Sequence, residues 1–149
     1  MNYIELHRDS FIVTTDPARL DVDLIHGYLT RSYWAEGIPR ETVERSIANS
    51  LCFGVYEGEK QVGFARVITD YATFAYLADV FIIESHRRRG LSKFLMECIV
   101  NHPQLQGLRR WTLGTRDAHE LYTKYGFTPL AKPDRFMERH NPEVYKRTP

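Results

Sequence analysis

The stretch HRRRGLSKFL, residues 86–95, places three consecutive arginines and a glycine directly before an apolar pattern with helical spacing. That pattern predicts an amphipathic helix that begins at Gly90 and ends near Asn101. Its apolar positions are Leu91, Phe94, Leu95, Cys98 and Ile99. The run FAYLADVFII precedes the arginines and predicts a strand buried on both faces. A buried strand therefore enters a helix through a cationic turn that contains glycine.

A turn of this kind is suited to binding an anion. The first N–H groups of a helix lack intrahelical partners and carry the positive end of the helix dipole. Gly90 has no Cβ, so a ligand can approach its backbone closely, and the guanidinium groups of residues 87–89 can bind phosphate oxygens. Neither the P-loop pattern nor the three-glycine dinucleotide pattern is present. An exposed basic turn without a ligand is the alternative interpretation.

The composition limits the function classes. The 149 residues are expected to form one domain, residues 1–149. Lys plus Arg number 20 and Asp plus Glu 19, so a net charge of +1 gives no general attraction to nucleic acid or an anionic membrane. Nucleic-acid binding through the three arginines is therefore a weak alternative. No signal-peptide pattern or apolar run of about 20 residues occurs, which favours a cytoplasmic location. Cys52 and Cys98 are expected to be buried, reduced thiols.

The remaining patterns predict an order of strand, helix, helix, hairpin, strand, helix, strand, helix and strand. The first helix is expected from Pro17 to Arg31 and the second from Pro39. A hairpin is predicted around the turn EGEK. The last helix, in DAHELYTKYG, is expected to have Asp117 as its N-cap and to stop at Gly126. The predicted strands are SFIVTT, LCFGVY, QVGFARVITD, FAYLADVFII, RRWTLGT and FTPL.

Two motifs on these elements resemble the GCN5-related N-acetyltransferase (GNAT) superfamily. RRRGLS, residues 87–92, is similar to the family's acetyl-CoA motif Arg/Gln-x-x-Gly-x-Gly/Ala, with Ser92 where Gly or Ala is usual. LYTKYGF, residues 121–127, is similar to the family's Leu-Tyr-x-x-x-Gly-Phe segment, with Tyr122 at the position of its usual catalytic tyrosine. The resemblance covers about residues 50 to 130. It implies an α+β fold: a mixed, mostly antiparallel twisted sheet with splayed fourth and fifth strands and helices on both faces.

The resemblance also implies an acetyl-CoA-dependent N-acetyltransferase that acts on a primary amine of a small molecule or peptide by direct attack in a ternary complex. Backbone groups exposed at the splay would bind the pantetheine arm, and the turn would bind the pyrophosphate. The implied cofactor-binding residues are Val80, Phe81, Ile82, Arg87, Arg88, Arg89, Gly90, Leu91 and Ser92. No metal is expected. A catalytically silent CoA-binding sensor or scaffold module is the alternative function.

Two residues are expected to take part in the chemistry. Tyr122 would donate a proton to the departing thiolate. Asp79 is the first candidate for the general base, because an acid within a buried strand is costly without a purpose. Glu84, His86 and a water relay are alternatives for the base, and a hydrogen-bonded structural carboxylate is an equally good interpretation of Asp79.

Substrate selection is expected from two aromatic and acidic stretches, SYWAEG and ITDYATFAY. Tyr33, Trp34, Asp70 and Tyr71 are the candidate substrate residues, since aromatic walls with acids suit a small cationic amine. An aromatic core beneath a loop is the alternative. The C-terminal stretch from Pro133 onward would be either a tail packed on the domain or the arm of a homodimer.

Overall fold

The computed structural model describes residues 2–146, which contain one six-stranded sheet with the strands in chain order. Neighbouring strands are antiparallel except for the last pair, which is parallel. The strands are β1 (Glu5–Arg8), β2 (Phe11–Thr14), β3 (Leu51–Glu57), β4 (Lys60–Thr69), β5 (Phe74–Ile82) and β6 (Arg110–Leu113). The α-helices are α1 (Val22–Leu29), α2 (Arg40–Ala48), α3 (Leu91–Val100) and α4 (His119–Thr123). Short 3-10 helices cover Pro17–Arg19, Glu84–His86, Pro103–Leu105 and Pro133–Arg135.

Helices cover both faces of the sheet, as predicted. The larger core lies between the sheet and α3, whose predicted apolar face is confirmed because all five of its residues are buried. The smaller core lies between α1, α2 and the opposite sheet face, around Ile25, Val43 and Phe64. Since strand side chains alternate between faces, β3 supplies Phe53 to the first core and Cys52 to the second.

A bulge in β5 opens the sheet. Residues 74–77 of β5 pair with residues 110–113 of β6, and the pairing ends there. On the other side, the register with β4 shifts so that Asp79 and Val80 together oppose Ala65. Asp79 has a left-handed φ of 56°, and an extra residue of this kind bends a strand. The predicted splay thus begins at Ala78, and within residues 2–146 no strand pairs with the rest of β5 on its β6 side.

Three predicted elements were wrong in extent. Asp16 caps the 3-10 helix Pro17–Arg19, and Asp21 caps α1. The segment predicted as one helix from Pro17 to Arg31 is therefore two helical pieces. Asp117 is not the N-cap of α4, where Ala118 holds that position and donates its N–H to the Thr115 hydroxyl. FTPL forms no strand in the described part of the chain, which leaves β6 at the edge of the sheet.

The sequence also failed to predict β1. All four of its residues are exposed, so it has no apolar alternation, and its pairing with β2 depends on a turn in which Asp9 has a φ of 54°. Both cysteines are free and buried, as expected, and burial raises the pKa of Cys52 to about 12 and that of Cys98 to about 11. Within residues 2–146, no helix is long and apolar enough to cross a membrane.

Candidate active site

A cavity of about 370 Å³ lies where β5 and β6 separate. Residues 77–80 of β5 form one wall, residues 113–115 after β6 form another, and α4 contributes Tyr122. The cavity is closed by side chains from the α1–α2 connection, from α2 and from the C-terminal segment. Among these lining residues are Tyr33, Trp34, Ile38, Thr42, Ser46 and Tyr145. Distant parts of the chain therefore meet at the splay.

Tyr122 is buried on α4, with 8% of its surface exposed, and its ring packs edge-to-face on Phe127. Burial raises the pKa of its phenol to about 12, with smaller contributions from Tyr33 and Asp117. No hydrogen bond from its hydroxyl is found within residues 2–146. Tyr122 is therefore a protonated phenol on the cavity wall, with its donor free for a ligand.

Asp79, at the bulge, is held by two donors. Arg66 Nε donates to one carboxylate oxygen at 2.8 Å, and Trp34 Nε1 donates to the other at 2.9 Å. The pair is largely buried, with the Arg66 side chain 16% and the Asp79 side chain 10% exposed. Arg66 also donates to the Ser50 hydroxyl at 3.2 Å. These contacts favour the structural carboxylate over a free base among the alternatives for Asp79.

Arg66 is a site residue that the sequence analysis missed. In the sequence, Arg66 stands out only as a charged residue within the apolar strand QVGFARVITD. That position does not identify the acid with which Arg66 pairs. The bulge brings Asp79 onto the same side as Arg66, although the two are 13 residues apart. Asp79 in turn accepts the hydrogen bond from Trp34, which connects the bulge to the ring that lines the cavity.

The predicted aromatic wall is present around Tyr33 and Trp34, whose rings meet edge-to-face at 5.1 Å. The Arg116 guanidinium lies 4.0 Å above the Tyr33 ring, and the Arg116 backbone N–H donates to the Tyr33 hydroxyl at 3.0 Å. Tyr76 of β5 and Tyr145 extend the wall. Tyr145 was not predicted, because its position depends on the path of the C-terminal segment.

Asp70 and Tyr71 are not brought to the cavity. They lie in the β4–β5 turn, at the opposite end of β5 from the bulge. The Asp70 carboxylate accepts hydrogen bonds from the Thr73 hydroxyl and from the backbone N–H groups of residues 72–74. These hydrogen bonds hold the pKa of the carboxyl well below its usual range. Its role in this structure is to close the turn, so the substrate role predicted for the two residues has no geometric support.

The basic turn has an unobstructed backbone at Gly90. Gly90 is the N-cap of α3 with a left-handed φ of 75°, and a Cβ there would meet no heavy atom within 4 Å. Among residues 2–146, no side chain caps α3 and its first turn contains no acid, so its first N–H groups are left without a capping acceptor. Arg88 also has a positive φ, of 64°. Arg87 differs from its neighbours, since it donates to the Ile82 carbonyl at 3.0 Å and to the Tyr28 hydroxyl at 2.8 Å.

A buried histidine braces the same turn. His86 Nε2 lies 3.0 Å from one oxygen of Glu57, and its Nδ1 lies 2.8 Å from the Ser85 hydroxyl. The other Glu57 oxygen lies 3.8 Å from the Arg89 guanidinium. The hydrogen bond with His86 lowers the pKa of Glu57. Glu57, the last residue of β3, therefore contacts the turn at both His86 and Arg89.

Comparisons with known proteins agree with this geometry. Residues 48–129 match the model of the acetyltransferase (GNAT) domain, which is more than half of the chain. A crystal structure of a GNAT-family acetyltransferase from Xanthomonas campestris has 51% sequence identity and a TM-score of 0.91, covering 95% of this chain and 100% of that one. A protein of Gibberella zeae named as an acetyltransferase is 34% identical in an alignment of 140 residues, with a coverage of 78% for this chain and 78% for that one. The chain belongs to the GNAT acetyltransferase family.

As a GNAT acetyltransferase, the chain is an N-acetyltransferase enzyme of a family that uses acetyl-CoA. More distant structures share the fold. One of them, from Clostridium acetobutylicum, was determined with acetyl-CoA and has 16% identity and a TM-score of 0.62, covering 93% of this chain and 95% of that one. The residues of this GNAT domain fit such a ligand, because the open backbone at Gly90 leaves space where a Cβ would otherwise project.

Proposed function

We propose that this enzyme transfers an acetyl group from acetyl-CoA to a primary amine by direct attack in a ternary complex. The observation that carries the proposal is the cavity at the splay, which places the Tyr122 phenol, the unpaired side of β5 and an aromatic wall around one space. An acyl donor and an amine that enter from different sides would meet there. Small molecules and peptides are both within the acceptor class.

The acyl donor would be held mainly by backbone groups. Beyond Ala78, β5 has no partner on the β6 side, so groups of Val80, Phe81 and Ile82 would bind the amides of the pantetheine arm as an added strand does. The N–H groups of residues 88–92 would bind the pyrophosphate, assisted by the side chains of Arg88 and Arg89. Arg87 supports this site indirectly, because its guanidinium is already bonded to Ile82 and Tyr28.

In the proposed reaction a C–N bond forms, the C–S bond breaks, and one proton moves from the amine to the departing sulfur. Tyr122 would donate to that sulfur, and burial supports this role by keeping the phenol protonated. Its pKa of about 12 lies above that of an ordinary thiol, about 8.5. The phenol therefore acts chiefly by a hydrogen bond to the developing thiolate, and the proton released by the amine restores any phenolate formed. The Ile82 N–H would stabilise the oxyanion.

The general base is proposed to be a water relay rather than Asp79 alone. Arg66 and Trp34 donate to both oxygens of that carboxylate, so each oxygen already has a hydrogen-bond donor. Asp79 as the base stays a prediction. Its structural contribution is to hold the Trp34 ring against the cavity.

The acceptor is proposed to be a small cationic amine or an amine-bearing peptide end. Tyr33, Trp34, Tyr76 and Tyr145 supply ring faces and edges around the cavity, and an ammonium group binds over such rings. An amine bound there must lose its proton before attack, which agrees with a relay at the splay. A cytoplasmic location and a homodimer stay predictions alongside this function.

A screen of amine acceptors with detection of free CoA thiol tests the proposal. We expect CoA release that depends on at least one primary amine and that falls in the Tyr122→Phe variant. Acetyl-CoA binding by calorimetry without release for any amine would instead support the CoA-binding sensor. A CoA signal of equal size without any amine would mean hydrolysis and would contradict transfer.

A further inference from the structure

The charges that line the cavity at the splay do not balance. Its lining includes three charged residues, and two of them, Arg66 and Asp79, neutralise each other through a largely buried ion pair at 2.8 Å. The third is Asp117, whose side chain is largely exposed. Among the described residues, the cavity lining therefore carries one arginine against two carboxylates, and the surplus negative charge belongs to Asp117.

Asp117 does not stabilise its own helix. Ala118 is the N-cap of α4, and its N–H donates to the Thr115 hydroxyl at 3.1 Å. Within residues 2–146, the Asp117 carboxylate accepts no hydrogen bond, and its ion pair with Arg116 is long, at 3.7 Å. An exposed ion pair of this length contributes little to stability, so the carboxylate stays available to a ligand.

Asp117 lies at the mouth of the cavity, whereas Tyr122 lies inside it. The Asp117 side chain is 68% exposed, and Tyr122 is only 8% exposed. Tyr33 lies at the same mouth, because the Arg116 guanidinium that reaches Asp117 also lies 4.0 Å above the Tyr33 ring. A cation therefore already occupies the space between this ring and this carboxylate, and the mouth has the two features that bind a positive charge.

The reacting nitrogen of the acceptor is a poor partner for Asp117. That nitrogen must be neutral when it attacks, because its lone pair forms the new C–N bond. A neighbouring carboxylate favours the protonated form of an amine and would oppose the attack. Asp117 and the Tyr33 ring instead suit a group that keeps its positive charge throughout the reaction.

We infer that the acceptor carries a second cationic group besides the amine that is acetylated, and that Asp117 and Tyr33 bind this group at the cavity mouth. A diamine is the simplest member of this class. One end reaches Tyr122, and the other replaces the exposed Arg116 guanidinium beside the carboxylate. The inference rests on the proposed acetyl transfer and names its substrate class. Asp117 is thus a specificity-determining residue, which selects the acceptor without taking part in the bond changes.

Three acceptors of similar length test the inference: putrescine, n-butylamine and γ-aminobutyrate. Their distal groups are an ammonium, a methyl and a carboxylate, and steady-state kinetics at saturating acetyl-CoA give kcat/KM for each. With wild type, putrescine should exceed n-butylamine by roughly tenfold, about 1.4 kcal/mol, after correction for its two equivalent ends. γ-Aminobutyrate should be the poorest acceptor. Added salt should reduce the preference for putrescine, because it screens exposed charges.

Asp117→Asn removes the charge and keeps the size of the side chain. The ratio of kcat/KM between putrescine and n-butylamine should fall to roughly threefold or less, because only the ring contact stays, and KM for acetyl-CoA should not change. Glu120→Gln is the matched control, since Glu120 is an exposed acid on the same helix that does not line the cavity. Its ratio should equal that of wild type.

The inference and the proposed function fail in different ways. Equal use of putrescine and n-butylamine by wild type, or a preference that Asp117→Asn leaves intact, would overturn the inference while acetyl transfer still stood. A preference for γ-aminobutyrate would also overturn it and would assign the mouth to a carboxylate. If the screen yields a different acceptor, putrescine should compete with that acceptor more strongly than n-butylamine does, and equal competition would overturn the inference. Absence of CoA release with every amine would contradict the proposed function as well.

Discussion

Tyr122 is the residue on which the proposed chemistry depends, because a phenol supplies one aimed donor at the departing sulfur. Tyr122→Phe keeps the ring and its contact with Phe127, so we expect normal folding and unchanged acetyl-CoA binding. A positioned acid contributes roughly 10²–10⁴ in rate, and we expect kcat to fall by that order. With a pKa of about 12, Tyr122 itself should cause no alkaline loss of activity at pH values well below 12. If Tyr122→Phe kept the full kcat while the chemical step was rate-limiting, the tyrosine would have only a packing role.

Gly90 is the second residue with a direct test. Gly90→Glu puts a side chain and a negative charge where the pyrophosphate is proposed to bind, so CoA affinity should fall at least tenfold, about 1.4 kcal/mol. Gly107→Glu is the matched control, because Gly107 also has a positive φ and open space around its Cβ position. Both variants should lose similar stability. Equal CoA affinities by calorimetry in two folded variants would place the phosphate site elsewhere.

The residues that sequence alone could predict are those with local signals. Gly90 and Tyr122 stand in short motifs on one element each, so a turn and a helix were enough to indicate them. Arg66 has no such signal, since its meaning depends on a bulge that brings Asp79 opposite it. Asp70 shows the opposite error, because an acid among aromatic residues suggests a binding group, whereas this carboxylate accepts four hydrogen bonds within its own turn.

Among the elements, the 3-10 turn after α3 is capped by the side chain of His102, a group that can titrate. His102 is 4% exposed, and its Nδ1 accepts the Gln104 N–H at 3.1 Å, which requires an unprotonated nitrogen. Burial lowers its pKa below the ordinary 6.5, so the folded state binds fewer protons than the unfolded state. Stability from this group is therefore present above about pH 6.5 and decreases as the pH falls through the folded pKa.

His102→Asn retains a side-chain acceptor for the cap but cannot titrate. We expect a lower melting temperature at neutral pH, because the edge contact with Phe53 is lost, and a flatter decrease in melting temperature from pH 7.5 to pH 5. Melting curves of both proteins across that range measure the difference. If the melting temperatures of both proteins fell equally between pH 7.5 and pH 5, groups other than His102 would produce the acid sensitivity.

Elements were predictable where one face is apolar. The α3 pattern gave both its limits and its buried side, because six of its ten residues are buried. β1 was missed because every residue is exposed, and only its hydrogen bonds to β2 identify it. FTPL has apolar residues but is not hydrogen-bonded into the sheet within residues 2–146, although β6 ends the sheet nearby. Pairing between distant segments is information that periodicity does not contain.

In the molecule as a whole, the cavity at the splay is completed by the C-terminal segment, whose placement the sequence left undecided. Tyr145 packs against the smaller core, which lies between α1, α2 and the sheet. Its carbonyl oxygen lies 3.4 Å from the point that a Cβ would occupy if Gly37 carried a side chain. The chain thus returns across the domain to place one more ring on the cavity that holds Trp34. The family motifs end before this segment, so they indicate the chemistry without indicating the whole pocket.

Tyr145 and Trp34 should therefore act on the acceptor and not on the acyl donor. Tyr145→Ala and Trp34→Ala should each raise KM for the acceptor several-fold, since loss of a ring contact to a cation removes about 0.5–1 kcal/mol or more. KM for acetyl-CoA should stay within twofold, because the donor is proposed to bind along β5 and the basic turn. Val144→Ala is the matched control, as its exposed side chain does not line the cavity. Steady-state kinetics with both substrates varied separate the two constants, and equal increases in both would mean that these rings support the fold rather than the acceptor.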